Sequence, residues 1–283
     1  MSDSSADNPT FATYAFGHSE AETRRLQAQS RLFNSTARRL LEEAGITAGM
    51  RVLDVGSGAG DVAFLAANLV GPGGEVIGID ANPVILETAR ARARAQVAGL
   101  ANVSFFEGDI TSAVPDGPFD AAVGRCVLFF LADPAAALRR VVNTVRPGDA
   151  VAFQEPGNAT LRPDALPPSP LLDQAWAWIL EAYSRAGLDW RMGLRLFPLF
   201  AEAGLPAPRM RLDAAVGGGP NWEGYDYIAE TLRSILPLIL THGVATAEEV
   251  GTDSFGARLR EEVLGQGGVI TTWSFVTAWA RKA

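Results

Sequence analysis

Cysteine is almost absent from this chain. The one residue, Cys126, has no second cysteine to pair with, so nothing requires an oxidising compartment. Histidine is scarce. His18 and His242 are the only two, which leaves no Cys/His set for zinc, and no metal is expected. Lysine is scarcer still. Lys282 is the only one and follows no glycine-rich loop, so a G-x-x-x-x-G-K-[ST] phosphate loop is excluded. Positive charge is in deficit, with 24 Lys and Arg against 32 Asp and Glu, a net charge of −8. That balance disfavours nucleic acid and anionic membrane surfaces as partners. Long apolar runs are missing too. The stretch 235–240 is short and contains Pro237, below membrane-spanning length. Residues 1–9 are polar and acidic and lack the basic-then-apolar pattern of a secretory leader. These absences together give the expectation of a soluble, cytoplasmic protein with no nucleic-acid and no membrane partner.

What is present is a sizeable apolar fraction, 48%, in 283 residues, enough for one large domain with insertions. Residues 51–61 read as a buried strand, 52–55, that runs into glycine at every second position: Gly56, Gly58 and Gly60. A helix is expected from Asp61. Such a turn admits a ligand directly onto the main chain, with the amides of the helix aimed at it; an ordinary strand-to-helix turn is the alternative. Further apolar strands are expected at 75–79, 103–107, 119–124 and 150–154. Helices are expected between them, at 83–98 and from Asp133-Pro134 to about 146. A capping box, Ser19 with Glu22, opens an earlier helix that Gly45 ends. Strands that alternate with helices and read as continuous apolar runs indicate a mostly parallel, doubly wound α/β sheet. After residue 156 the pattern loosens. Helices are expected at 171–185, 193–204, 222–240 and 246–264, and strands at 209–216 and 269–279.

Acidic residues fall in register at the strand ends. Asp54 precedes the glycine turn, Asp80 ends the second strand and Asp109 follows the third. A carboxylate at the end of the second strand is placed to accept both hydroxyls of an adenosine ribose. One after the third strand can accept from the adenine amine. Taken singly, each is also an ordinary turn or cap aspartate. The glycine spacing departs from the G-x-G-x-x-G dinucleotide pattern, because Asp61 stands where the last glycine would be.

The segments Asp54-Val55-Gly56-Ser57-Gly58-Ala59-Gly60, Gly78-Ile79-Asp80, Glu107-Gly108-Asp109, Pro118-Phe119-Asp120 and Arg146-Pro147-Gly148, in this order, resemble the motifs of class I S-adenosylmethionine-dependent methyltransferases. The resemblance covers residues 46–156. It is similar to the small-molecule branch that includes ubiquinone and menaquinone C-methyltransferases and actinobacterial natural-product enzymes. It implies a Rossmann-like methyltransferase fold with a helical lid, divided as follows: an N-terminal lid segment (1–45), a cofactor-binding core (46–156), a lid crossing and helix (157–190), a core helix and strand (191–218), a lid insertion (219–265) and a final core strand (266–283). The implied cofactor is S-adenosylmethionine, with S-adenosylhomocysteine as product. Asp54, Gly56, Ser57 and Gly58 would line its methionine part. Asp80 would bind the ribose, with Ala81 and Asn82 beside the adenine and Gly108, Asp109 and Ile110 along its other edge. Arg125 would meet the cofactor carboxylate, and Cys126 and Phe129 would face the methyl site, core packing being the alternative for Cys126. Tyr14 and Gln27 would approach the cofactor from the N-terminal segment.

The implied reaction is in-line transfer of the sulfonium methyl to carbon, oxygen or nitrogen of a small apolar or aromatic acceptor. The acceptor wall is expected from the N-terminal helix and from Trp176, Trp178, Trp222, Tyr225 and Tyr227, unless these aromatics only fasten the lid. Trp273 is expected in the core. If the acceptor must lose a proton, His18 and Glu155 are the candidate bases. A cyclase or lyase that keeps the cofactor without transferring its methyl, and a binding module on the same fold, are the competing functions. The expected assembly is a monomer or a homodimer.

Overall fold

The computed structural model of the protein describes residues 20–95, 101–157 and 162–283. The elements run α1 (Glu20–Ala44), β1 (Arg51–Val55), α2 (Asp61–Val70), β2 (Glu75–Asp80), α3 (Pro83–Ala95), β3 (Val103–Glu107), β4 (Phe119–Arg125), a 3₁₀ turn at Leu128–Phe130, α4 (Pro134–Thr144) and β5 (Val145–Pro156). The second half adds β6 (Ala165–Leu166), α5 (Pro170–Arg185), α6 (Met192–Glu202), β7 (Arg209–Asp213), β8 (Val216–Gly217), α7 (Gly224–Thr241), α8 (Ala247–Val250), α9 (Thr252–Gly265), β9 (Val269–Thr271) and β10 (Phe275–Arg281).

Seven strands form one sheet in the order β3-β2-β1-β4-β5-β10-β7. β1 pairs in parallel with β2 and with β4, and the order reverses there. β10 runs antiparallel between β5 and β7. The central strands are buried on both faces, which is why they read as unbroken apolar runs. Two apolar clusters cover the faces. Val52, Val76, Val123 and Ala152 meet Leu40, Leu41, Val62 and Leu86 on one side. Leu53, Val55, Ile77 and Phe153 meet Leu138, Leu196 and Phe200 on the other. α1 reaches both clusters, through Phe33 on one face and Leu40, Leu41 and Ala44 on the other. The expected doubly wound sheet is present, and the crevice at the reversal point lies above the carboxyl ends of β1 and β4.

The caps follow local chemistry. Asp133 accepts from the N–H of Ala136 at 2.9 Å with Pro134 in the first turn, and Ser169 accepts from Leu172 at 3.1 Å ahead of Pro170. Three expected elements divide. The helix at 246–264 breaks at Gly251, where φ is 56°, after a capping box of Thr246 and Glu249. The strands at 209–216 and 269–279 each split, and their pieces β8 and β9 join β6 in a small antiparallel sheet. The break between β9 and β10 is held by long-range bonds: Thr272 N–H donates to Ala215 O at 2.9 Å, and Ala215 N–H donates to Thr272 Oγ1 at 3.1 Å. Among the described residues no helix is long and apolar enough to cross a membrane.

Aromatic rings join the second-half helices to the sheet. Tyr183 stacks on Trp190 and Trp176 on Trp273, with centroids 5.2 and 6.1 Å apart. Trp273 Nε1–H donates to the Tyr227 hydroxyl at 2.8 Å. Phe200 has 0% of its surface exposed and sits where α6 meets the sheet. Phe200→Ala is expected to lower unfolding free energy by about 3–5 kcal/mol, read as a shift of the denaturant midpoint without a change of slope.

Candidate active site

A cavity of about 590 Å³ opens over the glycine turn. The turn is left-handed at each glycine, with φ of 64° at Gly56, 50° at Gly58 and 87° at Gly60. Gly56 also has no room for a side chain: a Cβ there would lie 2.5 Å from Val127 Cγ2. The main chain of the turn is thereby pressed against the segment that follows β4.

Carboxylates hold the cradle open. Asp80 accepts from the Gly58 N–H and the Asn82 N–H, both at 2.9 Å, which ties the end of β2 to the turn. Asn82 Oδ1 accepts from Val84 N–H at 2.9 Å at the start of α3. Asp109 accepts from the Thr111 N–H at 2.8 Å and its hydroxyl at 2.6 Å. Arg92 donates to Ala59 O at 2.6 Å and to Asp61 at 2.7 Å, which anchors the far end of the turn to α3.

The floor carries buried polar atoms with no protein partner: Asp54 Oδ2, Ser57 Oγ and Arg125 Nη1. Asp54 is 1% exposed. Burial pushes its carboxyl up to about 8, against the pull of the Arg125 guanidinium and the Ala63 N–H. An acceptor, a hydroxyl and a cationic donor left open in one place match the two ends of an amino-acid zwitterion, ammonium to Asp54 and carboxylate to Arg125. A methionine end fits these residues.

The residues expected at the cofactor from the core gather around this one cavity. Asp54, Gly56, Ser57 and Gly58 line its base, and Arg125 and Cys126 its β4 side. Asp80, Ala81, Asn82, Gly108, Asp109 and Ile110 line the β2–β3 side. Tyr14 and His18 lie outside the described residues.

Three expectations are corrected. Gln27 is exposed and does not reach the cavity. Each helical residue turns by about 100°, so Gln29, two positions on, faces inward while Gln27 faces out. Glu155 is not placed to act as a base. It is 0% exposed, and its carboxylate accepts the main-chain N–H groups of Val127, Leu128 and Phe129 at 3.0, 2.9 and 3.2 Å. Burial still pushes its carboxyl up to about 7, and the three donors pull the other way. The aromatic wall is also elsewhere. Trp176, Tyr225 and Tyr227 are buried in the apolar cluster that also holds Leu53 and Phe153 of the sheet, Trp178 and Trp222 pack against it, and Phe129 packs on Tyr183 and Trp190; none lines the cavity. Phe130 and Leu131 line it instead.

The residues missed were Glu22, Arg25 and Gln29, which line the α1 side together with Leu26. Their spacing, i, i+3, i+4, i+7, is the signature of one helix face. Charged residues at such positions look solvated until a partner surface is known. Cys126 is the one described non-glycine residue with positive φ, 55°. Burial and the nearby Glu155 carboxylate push its thiol up to about 12, so it stays protonated.

The raised Asp54 carboxyl has a stability consequence. Its ordinary value is 3.8 and its folded value about 8, so the folded chain holds this proton more tightly than the unfolded chain. Its stabilising contribution is complete below the ordinary value and is lost as pH rises towards about 8. In denaturation titrations of ligand-free protein across that window, Asp54→Asn is expected to flatten the decline, by on the order of 1 kcal/mol per pH unit at most.

A family profile described as a methyltransferase domain matches residues 46–178. The chain is 36% identical over 187 residues to the aklanonic acid methyltransferase DauC of Streptomyces sp. strain C5, a match that covers 63% of this chain and 83% of that protein. It is 39% identical over 126 residues to the nocamycin O-methyltransferase of Saccharothrix syringae, covering 44% of each, so this match spans less than half of that relative. Its fold is similar to that of a SAM-dependent methyltransferase from Aquifex aeolicus, with a TM-score of 0.52 and 20% identity over 69% of this chain and 91% of that one. With the strand order, the glycine cradle and a relative matched over most of its length, the chain belongs to the S-adenosylmethionine-dependent methyltransferases.

Proposed function

We propose that the protein transfers a methyl group from S-adenosylmethionine to a small, apolar or aromatic organic acceptor. The observation that carries this is the set of partnerless polar atoms on the cavity floor, Asp54 Oδ2, Ser57 Oγ and Arg125 Nη1, directly under a glycine turn that leaves the main chain open. These three residues would hold the methionine end. Asp80 would accept from the ribose hydroxyls while keeping its bonds to the turn, since each carboxylate oxygen has two lone-pair sites. Ala81 and Asn82 on one side, and Gly108, Asp109 and Ile110 on the other, would enclose the adenine.

When bound, the cofactor supplies an electrophilic methyl group on a sulfonium sulfur. The chain's own contribution is positioning and exclusion of water. Leu26, Val127, Phe130 and Leu131 present apolar surface to the cavity that Cys126 also lines. Glu22, Arg25, Leu26 and Gln29 of α1 line another side, and the Ser234 hydroxyl of α7 donates to Glu22 at 2.7 Å from behind that wall. Two relatives carry names that specify small natural products, aklanonic acid and nocamycin, which supports an acceptor of that size.

The reaction is tested with methyl-labelled S-adenosylmethionine and a panel of apolar and aromatic acceptors. Label in a product heavier by one methyl group supports the proposal, and a product of unchanged mass overturns it in favour of a cyclase or lyase. For the site, Asp80→Ala is expected to weaken S-adenosylhomocysteine binding in calorimetry by about 1.5–3 kcal/mol with an unchanged circular-dichroism spectrum. An unchanged dissociation constant would assign the ribose elsewhere.

A further inference from the structure

Glu155 is a fully buried carboxylate that does not line the cavity, and the cofactor assignments leave it without a role. Its two oxygens divide three successive main-chain donors. Oε1 accepts from Val127 and Leu128, and Oε2 accepts from Phe129. The residue before it extends the row, since the Cys126 N–H donates to Gln154 O at 2.8 Å. Two adjacent residues at the end of β5 therefore hold four adjacent N–H groups just beyond β4. Successive N–H groups at the start of a turn have no partner in the turn itself and together suit an anion. A carboxylate has two oxygens to share among them, where an amide has one.

We propose that Glu155 is a positioning residue for cofactor binding, acting through the main chain of residues 127–129 on the cavity-lining segment that holds Arg125, Cys126 and Val127. The inference rests on the methyl-transfer function proposed above and adds a residue to its site. Two observations connect this carboxylate to the glycine turn.

The first is a wedge. A Cβ on Gly56 would lie 2.5 Å from Val127 Cγ2, and one on Gly124 would lie 3.1 Å from Val127 Cγ1. The Val127 side chain thus fills room that two glycines leave, one in the turn and one in β4. Its N–H is held by Glu155, so the carboxylate fixes how this wedge meets the turn.

The second is backbone conformation. Cys126 has φ of 55°, and no other described non-glycine residue has positive φ. A residue with a Cβ leaves that region unless its neighbours hold it there. Arg125 is held on one side by its pairing with Gln154 in the sheet. Residues 127–129 are held on the other side by Glu155. Releasing the second hold lets the chain turn at Cys126, which moves Val127 relative to Arg125 and to Gly56.

The test pairs calorimetric titration with S-adenosylhomocysteine and amide hydrogen exchange across residues 125–131. Both are run at about pH 8.5, above the value of about 7 to which burial pushes the Glu155 carboxyl. Glu155→Gln keeps the volume but loses the charge and one acceptor oxygen. It is expected to weaken S-adenosylhomocysteine binding at least about tenfold. Exchange at 127–129 should quicken at least about tenfold while β1 and β4 stay protected. Glu155→Asp keeps the charge on a shorter stem and is expected to bind more tightly than the Gln variant. Phe200→Ala lowers stability at α6 and leaves the three N–H bonds in place, so it is expected to bind as the parent does. An unchanged dissociation constant in Glu155→Gln overturns the proposal. So does an equal loss in Phe200→Ala, which would make affinity a matter of stability alone. A Gln variant that binds better than the Asp variant also overturns it, because volume and not charge would then matter. If Glu155→Gln has no cooperative unfolding transition, the Asp variant decides. Faster exchange at 127–129 together with weaker binding supports the proposal there, and either change alone, or neither, overturns it. Failure of the parent protein to bind S-adenosylhomocysteine would instead overturn the methyl-transfer function itself.

Discussion

The buried carboxylate of Glu155 takes three successive main-chain N–H groups, those of Val127, Leu128 and Phe129, and the geometry of the site depends on that clasp. Those N–H groups sit where the chain leaves β4 for a 3₁₀ turn, with no ladder to satisfy them. With the clasp in place, Val127 is pressed against Gly56, and the glycine turn and the β4 segment become one rigid unit. The left-handed backbone at Cys126, costly for a side chain with a Cβ, is held between this clasp and the bond from its own N–H to Gln154 O at 2.8 Å. Arg125 and Cys126 reach the cavity as a consequence.

The second constraint is electrostatic. Asp54 is buried with one oxygen unpartnered, close enough to Asp61 and Asp80 for their charges to oppose its own. Asp61 is paired with Arg92, and Asp80 accepts hydrogen bonds from the amides of Gly58 and Asn82. Asp54 has the pull of Arg125 and the N–H of Ala63, which burial outweighs. Of these carboxylates it is the one whose proton the fold holds most strongly above the ordinary value. The folded chain meets this burial by holding the Asp54 proton up to about 8, and a positive group beside it would favour the charged carboxylate instead.

α1 belongs to both the fold and the site. Its C-terminal half packs Leu40, Leu41 and Ala44 onto the sheet, while its N-terminal half turns Glu22, Arg25 and Gln29 to the cavity. A polar cluster with each partner in place is rigid, so this wall of the cavity is held in one arrangement. α7 supports that wall from behind, through the bond from Ser234 to Glu22, although the two segments are some two hundred residues apart in sequence.

The parallel core was legible because its signals are local. Strands buried on both faces must be apolar throughout, a left-handed turn needs glycine, and carboxylates at strand ends fall in register when the strands are parallel and adjacent. Asp54, Asp80, Asp109 and the turn at Gly56, Gly58 and Gly60 were therefore all placed from the chain alone. The α1 side of the cavity was not legible, because burial there is decided by distant partners. Glu155 looked like an available base until the N–H groups of residues 127–129 were seen to occupy it. Gln27 and Gln29 are the same residue type two positions apart, and only the docking of α1 decides which of them faces inward. The broken strands at 213–216 and 271–275 carry no local break signal strong enough to divide them, since Ala215 and Thr272 find each other only in three dimensions. Local covalent and steric rules determined the cofactor cradle; the long-range packing of α1, α7 and the β4 segment determined the wall across from it.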